Sequence, residues 1–376
     1  MINQYDRRSV GSIQWPEDPK ANIIKNFFLP IVEKGTPEFI RNVKTEFKLV
    51  QINEKILPIT INEGNYDNCF VCSPYGQYVN YAKETVEHLE NASLRTFASF
   101  FIPFMGGGWK LLKMNRVVIV NNWCLPTNLY PELDEQEVQD LLDGLTKKYP
   151  RHIIAFRSLY PDQKIFKALK NRCFDMIPSR LCYFIRPDDD EPLKSRMMKS
   201  DLKLLKKTDY EIVRKKDVSK KEIPRILELY RHLYIEKYSK LNLQFTENFI
   251  AHILQHDAFE LILLKKNEQI DGVVAFYQFD NVITSPLFGY DTAVPQKIGL
   301  YRMLNALLIL EARKIGALLN QSAGASSFKK LRRATPQFEY LAVYTKHLPI
   351  HRRLPWKILK GIMTRIGIPL LNKFDI

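Results

Sequence analysis

At 376 residues, with 45% hydrophobic and 12% aromatic side chains, the chain can bury the cores of about two domains. A net charge of +15 points to acidic partners: a nucleic acid, an anionic membrane, an acidic carrier protein or a phosphorylated substrate. Five cysteines, an odd number scattered along the chain, argue against a disulfide framework and suit a reducing compartment.

Residues 1–20 read as irregular, and Met1–Lys20 has no apolar run that would serve as a leader. The most apolar run, Phe97–Met105, is too short to span a bilayer. The chain is therefore expected in the cytoplasm, at most lying on the inner face of the membrane. Phe47–Asn53 and Lys55–Asn62 read as two strands about a tight turn. Cys69–Tyr81 mixes tyrosines and amides with turn residues, then enters a helix with apolar positions at Tyr81, Val86, Leu89 and Leu94. Cys69-x-x-Cys72 lacks a second pair or nearby histidines and reads as core cysteines. Gly106-Gly-Gly108 reads as a loop. Arg116–Asn122 is a buried strand, and Trp123–Pro131 a loop carrying proline. The next helix has Asp134 at its cap and Val138, Leu141, Leu142 and Leu145 on one face. Its first turn is acidic and its last carries Lys147 and Lys148, as the helix dipole prefers. His152–Phe156, Asp162–Asn171 and Leu181–Arg186 follow as strand, helix and strand.

Pro187-Asp-Asp-Asp-Glu-Pro192 is a polar linker. From Lys194 to Lys221, eleven Lys/Arg stand against four Asp/Glu, a net +7; a solvated helix face and a grip on phosphate both fit this pattern. Ile223–Tyr234 is an amphipathic helix, continued by Tyr238 and by a helix over Thr246–His256. Leu261–Lys265 and Gly272–Phe279 form a hairpin. Val282–Tyr290 is a strand that breaks at Ser285–Pro286, because a proline inside a strand removes a ladder donor and marks a bulge or an edge. The loop Asp291–Gly299 feeds a helix over Leu300–Ile315. A short strand (Ala317–Asn320), the loop Gln321–Ser327, a basic helix (Phe328–Arg333) and a strand (Phe338–Lys346) complete the region. Its order of strand, loop, helix, strand, helix, strand repeats that of residues 116–186, about 160 residues earlier. The halves share architecture and no sequence likeness.

Two parallel strands that part at a bulge admit an extended ligand, and free N–H groups ahead of Leu300 favour a phosphate. Ser285–Pro286 and Val294–Gly299 together outline a slot for a pantetheine arm and its pyrophosphate. At these residues the chain resembles the Gcn5-related N-acyltransferase (GNAT) superfamily, and within it the FemAB-like, double-domain branch. Gln296-Lys-Ile-Gly299-Leu-Tyr301 matches the pyrophosphate loop Gln/Arg-x-x-Gly-x-Gly/Ala at two of three fixed positions. Tyr301 replaces the small last residue. Leu319–Arg333 fits the branch's small-residue turn leading into a Tyr/Phe-Lys-Arg helix.

The resemblance implies an α+β (mixed α/β) fold of two tandem GNAT-like domains, each a mixed central sheet flanked by helices. Residues 1–190 would form the acceptor side and 191–346 the donor half, with 347–376 a basic amphipathic tail. The donor would lie against Leu287, Phe288, Val294, Gln296, Lys297, Gly299, Leu300 and Tyr301, with a backbone N–H near Leu287–Gly289 receiving the oxyanion. Acid and base candidates are Tyr290, for a leaving thiolate, Asp291, for the amine proton, Asn320, Gln321 and Lys329. Lys329 stands at the family's lysine position, as a phosphate or carrier contact. Arg196, Lys203, Lys207 and Tyr238 would meet the acceptor or carrier.

The implied reaction moves an acyl group from acyl-CoA or acyl carrier protein to an amine, with no permanently bound cofactor. A second reading is an aminoacyl-tRNA-dependent transferase, with residues 194–221 on tRNA phosphates. A third is a non-catalytic membrane- or nucleic-acid-binding protein on the same scaffold. In the tail, Trp356, Ile358, Leu359, Ile362, Met363 and Ile366 fill one half of a helical wheel, opposite Lys357, Lys360, Thr364 and Arg365. Residues 350–376 would then lie on an anionic membrane, or dock the same apolar face on the protein body. His252/His256 and His347/His351 have ligand spacing but no clear third partner (Asp257 or Glu260 could serve the first pair), and no metal site is expected.

Overall fold

The computed structural model describes residues 2–87 and 92–374. Its strands are β1 (Ile2–Tyr5), β2 (Glu46–Ile52), β3 (Lys55–Glu63), β4 (Arg116–Val120), β5 (Ile153–Leu159), β6 (Asp175–Ile185), β7 (Glu211–Arg214), β8 (Phe259–Lys266), β9 (Gln269–Phe279), β10 (Val282–Tyr290), β11 (Leu318–Asn320) and β12 (Thr335–Tyr344). The chain divides into two compact units. The first comprises Met1–Ser179, Leu241–Leu243 and Tyr340–Ile368, and the second Arg180–Lys240, Gln244–Glu339 and Pro369–Ile376.

Each unit is a mixed sheet flanked by helices. In the first the order is β1-β2-β3-β4-β5-β12, antiparallel except for the parallel pair β4/β5. In the second it is β7-β8-β9-β10-β11-β6, antiparallel except for β10/β11. The pairing pattern is the same in both. In each, the sixth strand comes from the other half of the sequence: β12 closes the first sheet and β6 the second.

Period-two alternation gives the first sheet two apolar faces. Val118, Val120, Ile154 and Phe156 meet Val138, Leu141 and Leu145 of helix Glu135–Lys148 on one. Val117, Ile119, Ile153, Ala155, Leu341 and Val343 meet Trp109 and Trp356 on the other. Asp134 caps its helix through a reciprocal box with Glu137 (2.7 and 3.0 Å). In the second unit, helix Leu300–Ile315 buries Met303, Leu304, Leu307 and Leu308 against Ile262, Leu264, Val274 and Phe276.

Some expectations are corrected. Residues 2–5 are not irregular; they form β1, with Ile2 opposite Ile52. Gly106–Gly108 is not a loop but the last turns of helix Ala92–Leu111. A Cβ at Gly106 would stand 2.8 Å from Val79 Cγ1, so this glycine answers a close approach rather than a turn. The basic helix after β11 is shorter than expected, Ser326–Lys330. The tail helix starts earlier, at Ile350 with Pro349 as its cap residue. Leu89 and the Leu94 side chain lie outside the described residues.

Candidate active site

The second unit holds the gap between parallel strands that the sequence outlines. β10 and β11 pair only at Val282/Leu318, Ile283/Leu319 and Thr284/Asn320. On its other side β10 follows β9 throughout, but its register shifts between Thr284 and Leu287. Ser285 and Pro286 form the bulge, where Ser285 Oγ donates to the carbonyls of Ala275 (2.8 Å) or Leu287 (3.1 Å). β11 instead turns toward β6: Gln321 N–H donates to Tyr183 O at 2.9 Å and Tyr183 N–H to Ser322 O at 3.2 Å. Among the described residues no strand pairs with β10 beyond Thr284 on that side. Asp291 N–H bonds Asp271 O on the β9 side at 2.8 Å. Antiparallel alternation therefore turns the N–H and C=O groups of Phe288 and Tyr290 to the vacated edge. In the first unit, β4 and β5 stay paired to Val120/Phe156.

Gly289 is where β10 runs against helix Ile223–Arg231. A Cβ there would lie 2.7 Å from Leu229 C and Tyr230 N, both backbone atoms. That helix runs on into a π-helical turn, His232–Tyr238, a local geometry that recurs at functional sites. Tyr230 stacks on Tyr234 (4.9 Å), and Tyr234 meets the exposed Tyr238 edge-on at 6.2 Å.

Tyr301 lies across the gap. Its ring packs on Phe288 (5.1 Å) and Tyr290 (6.1 Å) of β10 and on Phe328 (4.6 Å) beyond β11. Burial pushes its phenol well above the ordinary range, so it stays protonated. Just before it, Gly299 takes the left-handed conformation (φ +79°) as the cap residue of helix Leu300–Ile315. Residues Gln296–Ile298 form a 3-10 turn in which the N–H groups of Ile298 and Gly299 bond Pro295 O and Gln296 O. The loop thus spends on itself two of the amides expected for a pyrophosphate, leaving the first turn from Leu300. Val294 and Ile298 pack on the core, while Gln296 and Lys297 are exposed.

A buried ion network braces this helix end. Asp201, fully buried on helix Arg196–Lys207, accepts from Arg302 Nε and Arg332 Nε, each at 2.6 Å. Arg302 also reaches Ser200 Oγ (2.8 Å), and the Arg332 guanidinium lies 3.3 Å from the Phe328 ring centroid. Two cations and one carboxylate leave a net positive charge beside the helix N-terminus. Neither arginine was singled out from the sequence. The signal that could have found them is Asp201 itself, the one acid within Arg196–Lys207.

Several expected site residues are committed elsewhere. Lys329 is buried, and its Nζ donates to the carbonyls of Gln321 (2.8 Å), Ser322 (3.0 Å) and Ala323 (2.9 Å). All three protons are used, which leaves none for a phosphate; burial pulls its ammonium down to about 7. Lys329 clamps the turn after β11. Lys329→Met is expected to cost about 2 kcal/mol in chemical denaturation, since three carbonyls lose their donor. Asn320 Oδ1 accepts from Ser322 N–H (2.8 Å) in the same turn, where Gln321 is half-buried.

Asp291 is bound by Arg225 (2.5 Å) and by the Ala293 N–H (2.9 Å). Burial opposes its ionisation, but these partners hold its carboxyl below the ordinary 3.8. An ion-paired carboxylate of lowered pKa is a poor base. Its folded pKa is depressed, so the pair's contribution is complete above about pH 4 and is lost as pH falls through the lowered value. Asp291→Asn should therefore lower stability by a constant amount above about pH 4 and flatten the acid limb, so that variant and parent converge at low pH in thermal melts. Tyr290, half-buried at the vacated edge, is left as the proton-donor candidate.

Helix Arg196–Lys207 turns Arg196, Lys199, Lys203, Lys206 and Lys207 to solvent, within an arc of about 100° at 3.6 residues per turn. This is a continuous basic stripe on the helix whose inner side carries Asp201.

No family model matches the chain, and no curated protein sequence matches it. Among solved structures, it is similar to L-PGS from Bacillus licheniformis at 13% identity and a TM-score of 0.45, over 60% of this chain and 78% of that one. It is similar to FemX at 12% and 0.43, over 60% and 79%. It is also similar to a GCN5-related N-acetyltransferase from Kribbella flavida, at 14% and 0.31, over 78% and 59%. At these identities and scores the likeness identifies neither a family nor an activity for this chain.

Proposed function

We propose that the protein is an acyltransferase whose second unit carries an acyl group from a phosphate-bearing donor to an amine. The observation behind this reading is the parting of β10 and β11 at the Ser285–Pro286 bulge, beside the N-terminus of helix Leu300–Ile315. The donor's arm lies along the vacated edge of β10 once the Tyr301 ring swings off Phe288. Its carbonyl oxygen, as the amine adds, takes hydrogen bonds from the edge amides of Phe288 or Tyr290. A C–N bond forms and the carbon–sulfur or carbon–oxygen bond of the donor breaks; the leaving group takes a proton from Tyr290, the candidate donor, and the proton that the amine gives up restores the Tyr290 phenol. The donor's phosphates meet Arg302 and the first helical turn.

Acyl-CoA is one such donor; acyl carrier protein would present the same pantetheine arm. The basic stripe of helix Arg196–Lys207, together with the self-bonded loop and Tyr301, favours a second donor, an aminoacyl-tRNA, which needs no pyrophosphate cradle and offers a long run of phosphates. Binding by the full chain of acetyl-CoA, palmitoyl-CoA and an aminoacylated tRNA separates them. Arg302→Ala should weaken whichever donor binds about tenfold. Lys203→Ala with Lys207→Ala should lower the salt dependence of tRNA binding by about two phosphate contacts and leave acyl-CoA binding unchanged. Failure to bind any of these three or an acylated carrier protein, or binding indifferent to Arg302, would refute the reading.

A further inference from the structure

The first unit carries a surface that the proposed reaction does not use. Helix Ala92–Leu111 leaves Phe100, Phe104 and Leu111 77–82% exposed, and helix Ile350–Ile362 leaves Ile350, Leu354 and Ile358 51–66% exposed. On each helix these residues form one row, spanning about 40° on the first and about 80° on the second at 3.6 residues per turn. The opposite faces carry Trp109 and Trp356, both buried, whose rings meet at 5.2 Å. The two tryptophans share one core with Val117, Ile119, Ile153, Ala155, Leu341 and Val343, all on one face of the first sheet. Both helices therefore cover the same sheet face, and their exposed rows point away from it on the same side.

Of the two readings of the tail, this placement shows docking on the protein body for Trp356 and Leu359. Trp356 is fully buried and cannot act as an interfacial anchor; with Leu359 it docks the helix on the body. What stays outside is the row Ile350, Leu354 and Ile358, enlarged by two phenylalanines and a leucine from helix Ala92–Leu111.

Charge selects the occupant. Residues 92–113 contain Arg95, Lys110 and Lys113 and no acid; residues 347–374 contain six Lys/Arg and no acid. Lys110, Lys113, Lys357 and Arg365 are exposed. A second copy of this surface would set cations on cations, and a partner must bring negative charge as well as an apolar phase. Among the described residues no helix is long and apolar enough to cross a membrane.

We propose that these two helices together form a peripheral docking face for an anionic lipid bilayer. The exposed phenylalanines, leucines and isoleucines enter the boundary between headgroups and acyl chains, and the lysines and arginine lie on lipid phosphates.

The test is co-sedimentation of the full chain with vesicles of phosphatidylcholine alone or mixed with phosphatidylglycerol. Binding is expected to the mixed vesicles, weakened by high salt, and far weaker with phosphatidylcholine alone. Phe100→Ser with Phe104→Ser, and separately Leu354→Ser with Ile358→Ser, should each reduce it at least about tenfold with unchanged melting temperature. Lys203→Ala with Lys207→Ala, in the second unit, should leave it intact. No binding to mixed vesicles, equal binding to both vesicle types, or full binding by both apolar double variants would overturn the proposal. So would conversion of a dimer to a monomer by the same variants in analytical ultracentrifugation, which would make a second copy the occupant. None of these outcomes bears on donor binding in the second unit.

Discussion

Asp201→Asn is expected to destabilise the protein by about 3–5 kcal/mol, the usual cost of removing one partner from a buried ion network. Asp201 is the counter-charge given to two guanidiniums, at 2.6 Å each. Most of the loss should come from Arg332, which is almost wholly buried, because Arg302 is about one-third exposed and water screens part of its charge. Burial already pulls Arg332 down from its ordinary range, and Asp201 opposes that pull. Asparagine keeps the shape and removes the charge, so the effect reads electrostatics rather than a cavity. Urea unfolding measures it; a loss under about 1 kcal/mol would mean that Arg332 is satisfied without a carboxylate. Donor binding should fall in the same variant, because the network holds Arg302 at the start of helix Leu300–Ile315.

Gly289→Ala is the second large effect. The new methyl would press at 2.7 Å on the backbone of Leu229 and Tyr230, which no side-chain rotation relieves. Overpacking of this kind costs about 1–3 kcal/mol, and either β10 or helix Ile223–Arg231 must shift. A shift of β10 moves the edge amides of Phe288 and Tyr290, so transfer should fall by more than the stability loss accounts for. Gly361→Ala is the control. Gly361 lies in helix Ile350–Ile362, and beyond its own stretch of helix backbone no described atom lies within 4 Å of the position its Cβ would take. That change should be neutral or stabilising by up to about 1 kcal/mol. Equal behaviour of the two variants in denaturation and transfer would remove Gly289 from the account.

The parts of the fold that announce themselves in sequence are those set by local chemistry. Pro286 marks the bulge because it cannot donate to the ladder. Gly299 and Gly316 bracket a helix at left-handed positions, and Asp134 and Glu137 form a cap within one turn. What stays hidden depends on distance in the chain. Asp201 meets arginines 101 and 131 residues away; its place as the one acid of its helix marks it, but no local pattern names those partners. β12 closes the sheet of the other half, which element order alone cannot show. Lys329 stood at a motif position, yet a motif gives no direction to a side chain, and this one turns inward to three carbonyls. Gly106 carries the same letter as a turn glycine, although here it yields room to Val79. Trp356 likewise belongs to an amphipathic stripe whose two edges have different fates, one on the core and one outside.

Hydrogen–deuterium exchange of the full chain, alone and with saturating acetyl-CoA, palmitoyl-CoA or aminoacylated tRNA, tests the central claim most directly. A bound donor should slow exchange of the amides at Phe288 and Tyr290 and in the turn Leu300–Arg302, with Tyr301 released from Phe288. If a donor binds while these amides exchange as in the free protein, the vacated edge of β10 is not where acyl groups are carried.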